Sequence, residues 1–280
     1  MMTHSSLRPI RLIVTDLDGT LLNSAHEISP RTEAAIRAAQ ARGVAFTVAT
    51  GKTFPSTTAL IERFGIRLPV ICGNGTSVHA PTGEVLFEDP IPVDLAVEAV
   101  RFAEAHGMTP VVYVRGGLVT SRRDDNVDEL IAHHEPEPEI IPNLVDALRN
   151  SHQPHKIILM HRDREQVAAF QHLLEERFGQ RGQVVRSGLA SVIELLPRGV
   201  SKATALRVIL DRSGYCADEM ICFGDNCNDL PMIQMAAVGV AMGNAPADVR
   251  AGADFVTTSN DADGVALALE RFVLAPTSQV

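Results

Sequence analysis

The sequence predicts an α/β fold: a Rossmann-like parallel-sheet core interrupted by an inserted α+β domain. Three observations carry this. Short apolar strands alternate with helix patterns at both ends of the chain. Apart from Arg11 and Thr47 those strands are continuously apolar, as strands covered by helices on both faces are. Between about residues 84 and 192 the texture changes to a mixture of short strands, turns and two longer helices. The expected organisation is core at 1–83, insertion at 84–192, and core again at 193–280.

The elements follow in order. Ile10–Val14 is a strand candidate that runs into Asp16, and Ser29-Pro30 is a helix start with apolar positions at Ala34, Ile36 and Ala38-Ala39, stopped by Gly43. Val44–Ala49 is the next strand, Pro55–Phe64 the next helix and Pro69–Cys72 a third strand of the same parallel series. In the insertion, Leu95–Ala105 and Glu165–Phe178 are helices; Pro110–Val114, Lys156–Met160 and Gln183–Arg186 are strands. Glu135-Pro136-Glu137-Pro138-Glu139 is expected to be an exposed connection, because two prolines disrupt both helix and sheet. The closing core reads as a helix from Ser201 to Leu210, strands Met220–Phe223 and Val238–Ala241 around a helix at Asp229–Met235, then Phe255-Val256 and a helix Asp263–Phe272.

Composition narrows the function. With 45% hydrophobic and 21% charged residues, the 280-residue chain can bury a sizeable core. A net charge of -9 argues against general nucleic-acid binding, which needs a basic face. It leaves room for an anionic substrate, since a metal or a few cations reverse the sign inside one cleft. The four cysteines, Cys72, Cys216, Cys222 and Cys227, lack paired metal spacing, which fits a reduced, cytoplasmic protein. No apolar stretch approaches the ~18 residues that a membrane helix needs. The N-terminal apolar segment is short, carries Arg11 and ends in an acid, unlike a secretory signal. Oligomeric state has no signature in the sequence.

Ligands of open α/β sheets bind outside the carboxyl ends of the strands. Four such places carry polar residues here: Asp16-Leu17-Asp18-Gly19-Thr20, Thr50-Gly51-Lys52, Lys202 after Gly199-Val200-Ser201, and Gly224-Asp225-Asn226-Cys227-Asn228-Asp229. Singly each is weak; a Thr-Gly is usually a turn and a lone Lys usually a solvated cation. Together they suit phosphate chemistry. Asp16, Asp225 and Asp229 with a backbone carbonyl are hard ligands for Mg²⁺. The Thr50 hydroxyl, the Lys202 ammonium and loop N–H groups suit phosphoryl oxygens. One carboxylate can attack phosphorus while the other handles protons. In an extended segment, residues two apart point to the same side, so Asp16 and Asp18 can serve one phosphorus.

These four motifs, in this order, resemble the haloacid dehalogenase (HAD) superfamily of phosphohydrolases, and the insertion between the second and third resembles the α/β cap of its Cof-type branch. The resemblance covers nearly the whole chain. It implies Mg²⁺-dependent hydrolysis of a small phosphorylated metabolite, such as a sugar phosphate, through an aspartyl-phosphate. It makes Asp16 the nucleophile and Asp18 the general acid/base. Mg²⁺ is expected on Asp16, the Asp18 backbone carbonyl, Asp225 and Asp229. The phosphoryl oxygens are expected on Thr50, Gly51, Lys202 and Asn228. One departure stands out: Lys52 occupies a place where the family usually has Arg, a point charge in place of a planar fork.

The alternatives are a phosphotransferase or mutase using the same intermediate, and a non-catalytic sensor of a phosphometabolite. A dinucleotide-binding oxidoreductase is disfavoured, since no GxGxxG follows the first strand. Asn74 in Gly73-Asn74-Gly75 reads first as a turn residue. His133-His134 reads as a helix end, because adjacent helical side chains diverge. Cys227 among acids gains no thiolate activation. Arg115, Arg122, Arg123 and His155 are the polar candidates in the cap for substrate recognition. Cap hinges are expected near 80–90 and 187–200, where Pro81, Gly83, Pro90, Gly188, Pro197 and Gly199 punctuate the chain.

Overall fold

In the computed structural model, residues 8–186 and 189–275 are described; Gly188, expected near a hinge, lies outside them. The chain forms two compact units: 1–50, 60–70 and 206–280 in the first, 51–59 and 71–205 in the second.

The first unit is built on a five-stranded parallel sheet. Its spatial order is Phe255–Val256, Val238–Ala241, Met220–Gly224, Leu12–Thr15 and Ala45–Val48. Val14 sits opposite Cys222 on one side and Thr47 on the other. Leu12, Ile13 and Val14, with Met220 to Phe223, are fully buried, as expected for strands covered on both faces. The chain leaves Leu12–Thr15 for Ala45–Val48 on one side, while Met220–Gly224 comes in on the other. The order therefore reverses between Leu12–Thr15 and Met220–Gly224, and the carboxyl ends of those two strands flank a topological switch point. The flanking helix Pro30–Ala41 starts as the sequence predicts, with Ser29 Oγ accepting the Thr32 N–H at 3.1 Å and proline in the first turn.

The second unit carries a six-stranded sheet in the order Gly182–Val185, Val192–Pro197, Pro154–Met160, Thr109–Val114, Gly117–Thr120 and Glu139–Ile140. Its pairs are antiparallel except the last, which is parallel. Side chains alternate between faces. Val112, Ile157, Leu159, Ile193 and Leu195 pack against helices Val93–Ala105, Leu144–Asn150 and Arg164–Phe178. Val111, Tyr113, Ile158, Met160 and Val192 face the other way and pack with helix Asp125–Ala132.

Several local expectations change. Val70–Cys72 does not join the parallel sheet; it forms a three-stranded sheet with Ser77–His79 and Val85–Glu88. The reason is the turn at Gly73-Asn74-Gly75, whose three consecutive positive φ values (58°, 60° and 102°) reverse the chain after three residues. The Glu135–Glu139 stretch is not a plain exposed connection. Glu135 is 8% exposed, Pro138 is buried, and Glu139–Ile140 forms the edge strand. The closing helix is three pieces, a 3₁₀ turn Asn260–Ala262, an α-helix Gly264–Leu269 and a π-turn Glu270–Leu274. Pro55–Phe64 likewise opens as a 3₁₀ turn before the α-helix Thr58–Phe64.

Candidate active site

The parallel ladder runs one residue past the first strand: the Asp16 N–H donates to the Phe223 carbonyl at 3.0 Å. The Asp16 backbone is thereby fixed at the switch point, and its side chain is buried, at 6% exposure. Asp225 follows the neighbouring strand, and Asp229 stands just before helix Leu230–Met235. The loop between these two acids is closed by Asp229 itself, whose Oδ2 accepts the N–H groups of Asp225 and Asn226, both at 3.0 Å. A ligand oxygen from each of Asp16, Asp225 and Asp229 lies within 4.8 Å of the others.

The DLDGT loop supports this convergence from the other side. Thr20 Oγ1 donates to Asp225 Oδ1 at 2.8 Å, and Asn244 Nδ2 donates to the Gly19 carbonyl at 2.9 Å. Gly19 adopts φ +75°, and a Cβ built there meets Asp225 Oδ2 at 2.5 Å. Only glycine lets this turn and that carboxylate come together. Asp18 is half-buried on the same loop; His26 Nδ1 lies 3.5 Å from Asp18 Oδ1. Thr50 follows strand Ala45–Val48 and is fully buried. Asn228 lies in the loop between Asp225 and Asp229 and is half-buried.

The donor set fits a small divalent cation. Carboxylate oxygens are hard ligands, and Mg–O distances of about 2.0–2.1 Å place ligand oxygens within about 4.2 Å of one another across an octahedron. Three acids drawn to a similar spacing carry like charges that such an ion neutralises. The Cys227 thiol on the same loop is pushed up, chiefly by burial and then by Asp248, and has no activated thiolate character.

Gly51 and Lys202 belong to the second unit. Lys202 opens helix Lys202–Ser213, is 1% exposed, and follows Ser201, whose Oγ accepts the Thr204 N–H at 3.1 Å. Lys52 is also buried, and its Nζ donates to the His133 carbonyl at 2.8 Å. Among the cap candidates, Arg115 and His155 line a cavity of about 240 Å³ with Phe54, His79 and Glu88. Both contact Glu88, His155 Nε2 at 3.2 Å. Arg122 and Arg123 are tied instead to Asp124 and Asp128.

Thr20, His26 and Asn244, and the buried pair Lys156 and Glu194, which are 3.4 Å apart, gain a place only from the structure. For the pair a signal existed. Lys156 and Glu194 are the single charged residues in the apolar runs Pro154–Met160, apart from His155, and Val192–Pro197. His26 had none, being one residue in a polar loop.

A family model described as haloacid dehalogenase-like hydrolase matches residues 13–269. The chain is 29% identical over 270 residues to the chloroplastic endoribonuclease YBEY of Arabidopsis thaliana, covering 93% of this chain but only 46% of that protein. It is 28% identical to the pyridoxal phosphate phosphatase YbhA of Escherichia coli, over 91% of this chain and 96% of that one. A solved haloacid dehalogenase-like hydrolase from Bacteroides thetaiotaomicron superposes with a TM-score of 0.83 at 29% identity, covering 94% of this chain and 99% of that chain.

Proposed function

The chain belongs to the haloacid dehalogenase-like hydrolases, and from that premise we propose that it is a Mg²⁺-dependent phosphatase of a small phosphorylated metabolite. The observation that carries this reading is the convergence of Asp16, Asp225 and Asp229 within 4.8 Å at the switch point of the parallel sheet. The activity named for the E. coli relative, dephosphorylation of pyridoxal phosphate, supports the substrate class.

In this reading Asp16, Asp225, Asp229 and the Asp18 backbone carbonyl would hold Mg²⁺, which would supply positive charge that lets an anionic carboxylate approach an anionic phosphoryl group. The Asp16 carboxylate attacks phosphorus, forming an acyl-phosphate as the P–O bond to the alcohol breaks. Asp18 donates its proton to the departing oxygen, then takes one from the water that attacks phosphorus and frees Asp16. Thr50, Gly51, Lys202 and Asn228 bind the phosphoryl oxygens. The cap, residues 84–192, reads the organic part of the substrate. The four cysteines are free thiols, which supports a reducing, cytoplasmic setting. Among the described residues, no helix is long and apolar enough to cross a membrane.

The test is phosphate release from a panel of phosphorylated sugars, nucleotides and cofactor precursors, ranked by kcat/KM. Excess EDTA should abolish release and Mg²⁺ restore it. Ca²⁺, larger and more flexibly coordinated, should restore little. Undiminished turnover in EDTA, or transfer of phosphate to a second hydroxyl without release, would count against a metal-dependent phosphatase.

A further inference from the structure

The turn that follows Thr50 is gripped by a buried charged network inside the second unit. Lys156 Nζ donates to the Gly51 carbonyl at 2.8 Å. The same ammonium lies 3.4 Å from Glu194 Oε1 and 4.0 Å from the centre of the Tyr113 ring, its direct cross-strand neighbour. The other Glu194 oxygen accepts from Asn74 Nδ2 at 2.5 Å. Asn74 in turn packs on Gly51: a Cβ built at Gly51 sits 3.1 Å from Asn74 Oδ1. Lys156, Glu194 and Asn74 are 2%, 5% and 2% exposed. The next residues are held in the same way. The Lys52 carbonyl accepts the Gly73 N–H at 2.9 Å, while Thr53 and Ser56 hydroxyls donate to Glu135 at 3.4 and 3.2 Å.

Burying an ammonium in the middle of an apolar strand is expensive unless it is paired. Glu194 supplies the pair, so the bond to Gly51 is not needed to neutralise Lys156. Its consequence falls on the peptide plane between Gly51 and Lys52. Every described peptide bond is trans, and in a trans peptide the carbonyl and the following N–H point in opposite directions. A cation fixed on the Gly51 oxygen therefore sets the direction of the Lys52 N–H. It also draws electron density toward that oxygen, making the N–H a stronger donor to an anion.

We infer that Lys156, held by Glu194 and Tyr113, is a positioning residue that orients and polarises the Gly51–Lys52 peptide so that its N–H donates to the substrate phosphoryl group. This rests on the phosphatase reading above.

The experiment compares wild type, K156M, K156R and the charge-free pair K156M/E194Q. The readouts are the Kd of inorganic phosphate by titration calorimetry in Mg²⁺, KM and kcat on one phosphomonoester, and the melting temperature. Losing a hydrogen bond strengthened by charge is expected to weaken phosphate about 10- to 100-fold in K156M and in the double variant, with KM rising in parallel. The arginine variant should recover much of that affinity. The double variant leaves no buried unpaired charge, so it keeps the test open if K156M fails to fold. Variants that lose melting temperature yet bind phosphate as wild type does would overturn the positioning role while leaving the phosphatase reading intact. A wild type that neither binds phosphate nor releases it from any ester would overturn both.

Discussion

The two units use buried charge in opposite ways. In the first, three carboxylates converge where parallel strands end. In the second, Lys156 and Glu194 pair across an antiparallel sheet, each surrounded by apolar neighbours. The topologies explain the contrast. All strands of a parallel sheet end on the same edge, so residues as distant in sequence as Asp16 and Asp225 meet there in short loops. In an antiparallel sheet, side chains on one face of neighbouring strands meet, here on the diagonal: Glu194 stands opposite Ile158, two residues from Lys156. Like charges within 4.8 Å of one another repel by about 3 kcal/mol or more per pair at an effective dielectric of ~20. A bound cation reverses that cost. The paired charges of the second unit need no ligand. The first arrangement spends stability for chemistry; the second holds a framework.

The contrast is broken most sharply by Asp16→Asn. An amide cannot form an acyl-phosphate, so turnover should drop to background. Removing one of three converging charges should also raise the melting temperature in EDTA, by about 2–4 °C for each kcal/mol of relieved repulsion. K156M, in the other unit, should lower it. Differential scanning calorimetry of both proteins in EDTA decides the matter. Equal losses of stability would mean that the acidic cluster carries no repulsion to relieve.

The smallest expected effect concerns pH and lies in the second unit. Burial holds the His79 and His155 imidazoles below their ordinary value of 6.5; the hydrogen bond to Glu88 only partly offsets this at His155. The unfolded chain then takes up protons before the folded one, so stability rises with pH across that interval. It should be complete above about pH 6.5 and decline as pH falls through that value. The melting temperature is expected to fall between about pH 7.5 and 5.5, and His79→Gln with His155→Gln should flatten that slope. An unchanged slope in the double variant would assign the effect to other groups.

Much of this was legible in the sequence, and the reasons differ by region. The parallel core announced itself because strands buried on both faces are continuously apolar, and the DLDGT and GDNCND segments break those runs with acids. Strand Val238–Ala241 and the Ser29-Pro30 helix start stand where the pattern put them. The Val70–Cys72 strand reads as part of the parallel series but pairs elsewhere, because an apolar triplet carries no information about its partner and the deciding feature is a backbone reversal at Asn74. Glu135, beside its prolines, reads as part of an exposed connection. What buries it is the Tyr113 hydroxyl at 3.0 Å and the Ser56 hydroxyl, both remote in sequence. Such partners are set by tertiary packing, which local composition does not encode.

In the proposed mechanism Asp16, and not Asp18 two residues on, bonds to phosphorus. On that proposal Asp18→Asn would keep the nucleophile and remove the proton donor and base, an assistance typically worth ~10²–10⁴-fold. With an aryl phosphate, whose leaving group needs no proton, the first step should survive in this variant. The second step, which needs a base to activate water, should stall. Rapid-quench mass spectrometry of Asp18→Asn with that substrate should then find phosphate on Asp16. Phosphate on another residue, or on none while turnover continues, would overturn the assignment of Asp16 as nucleophile.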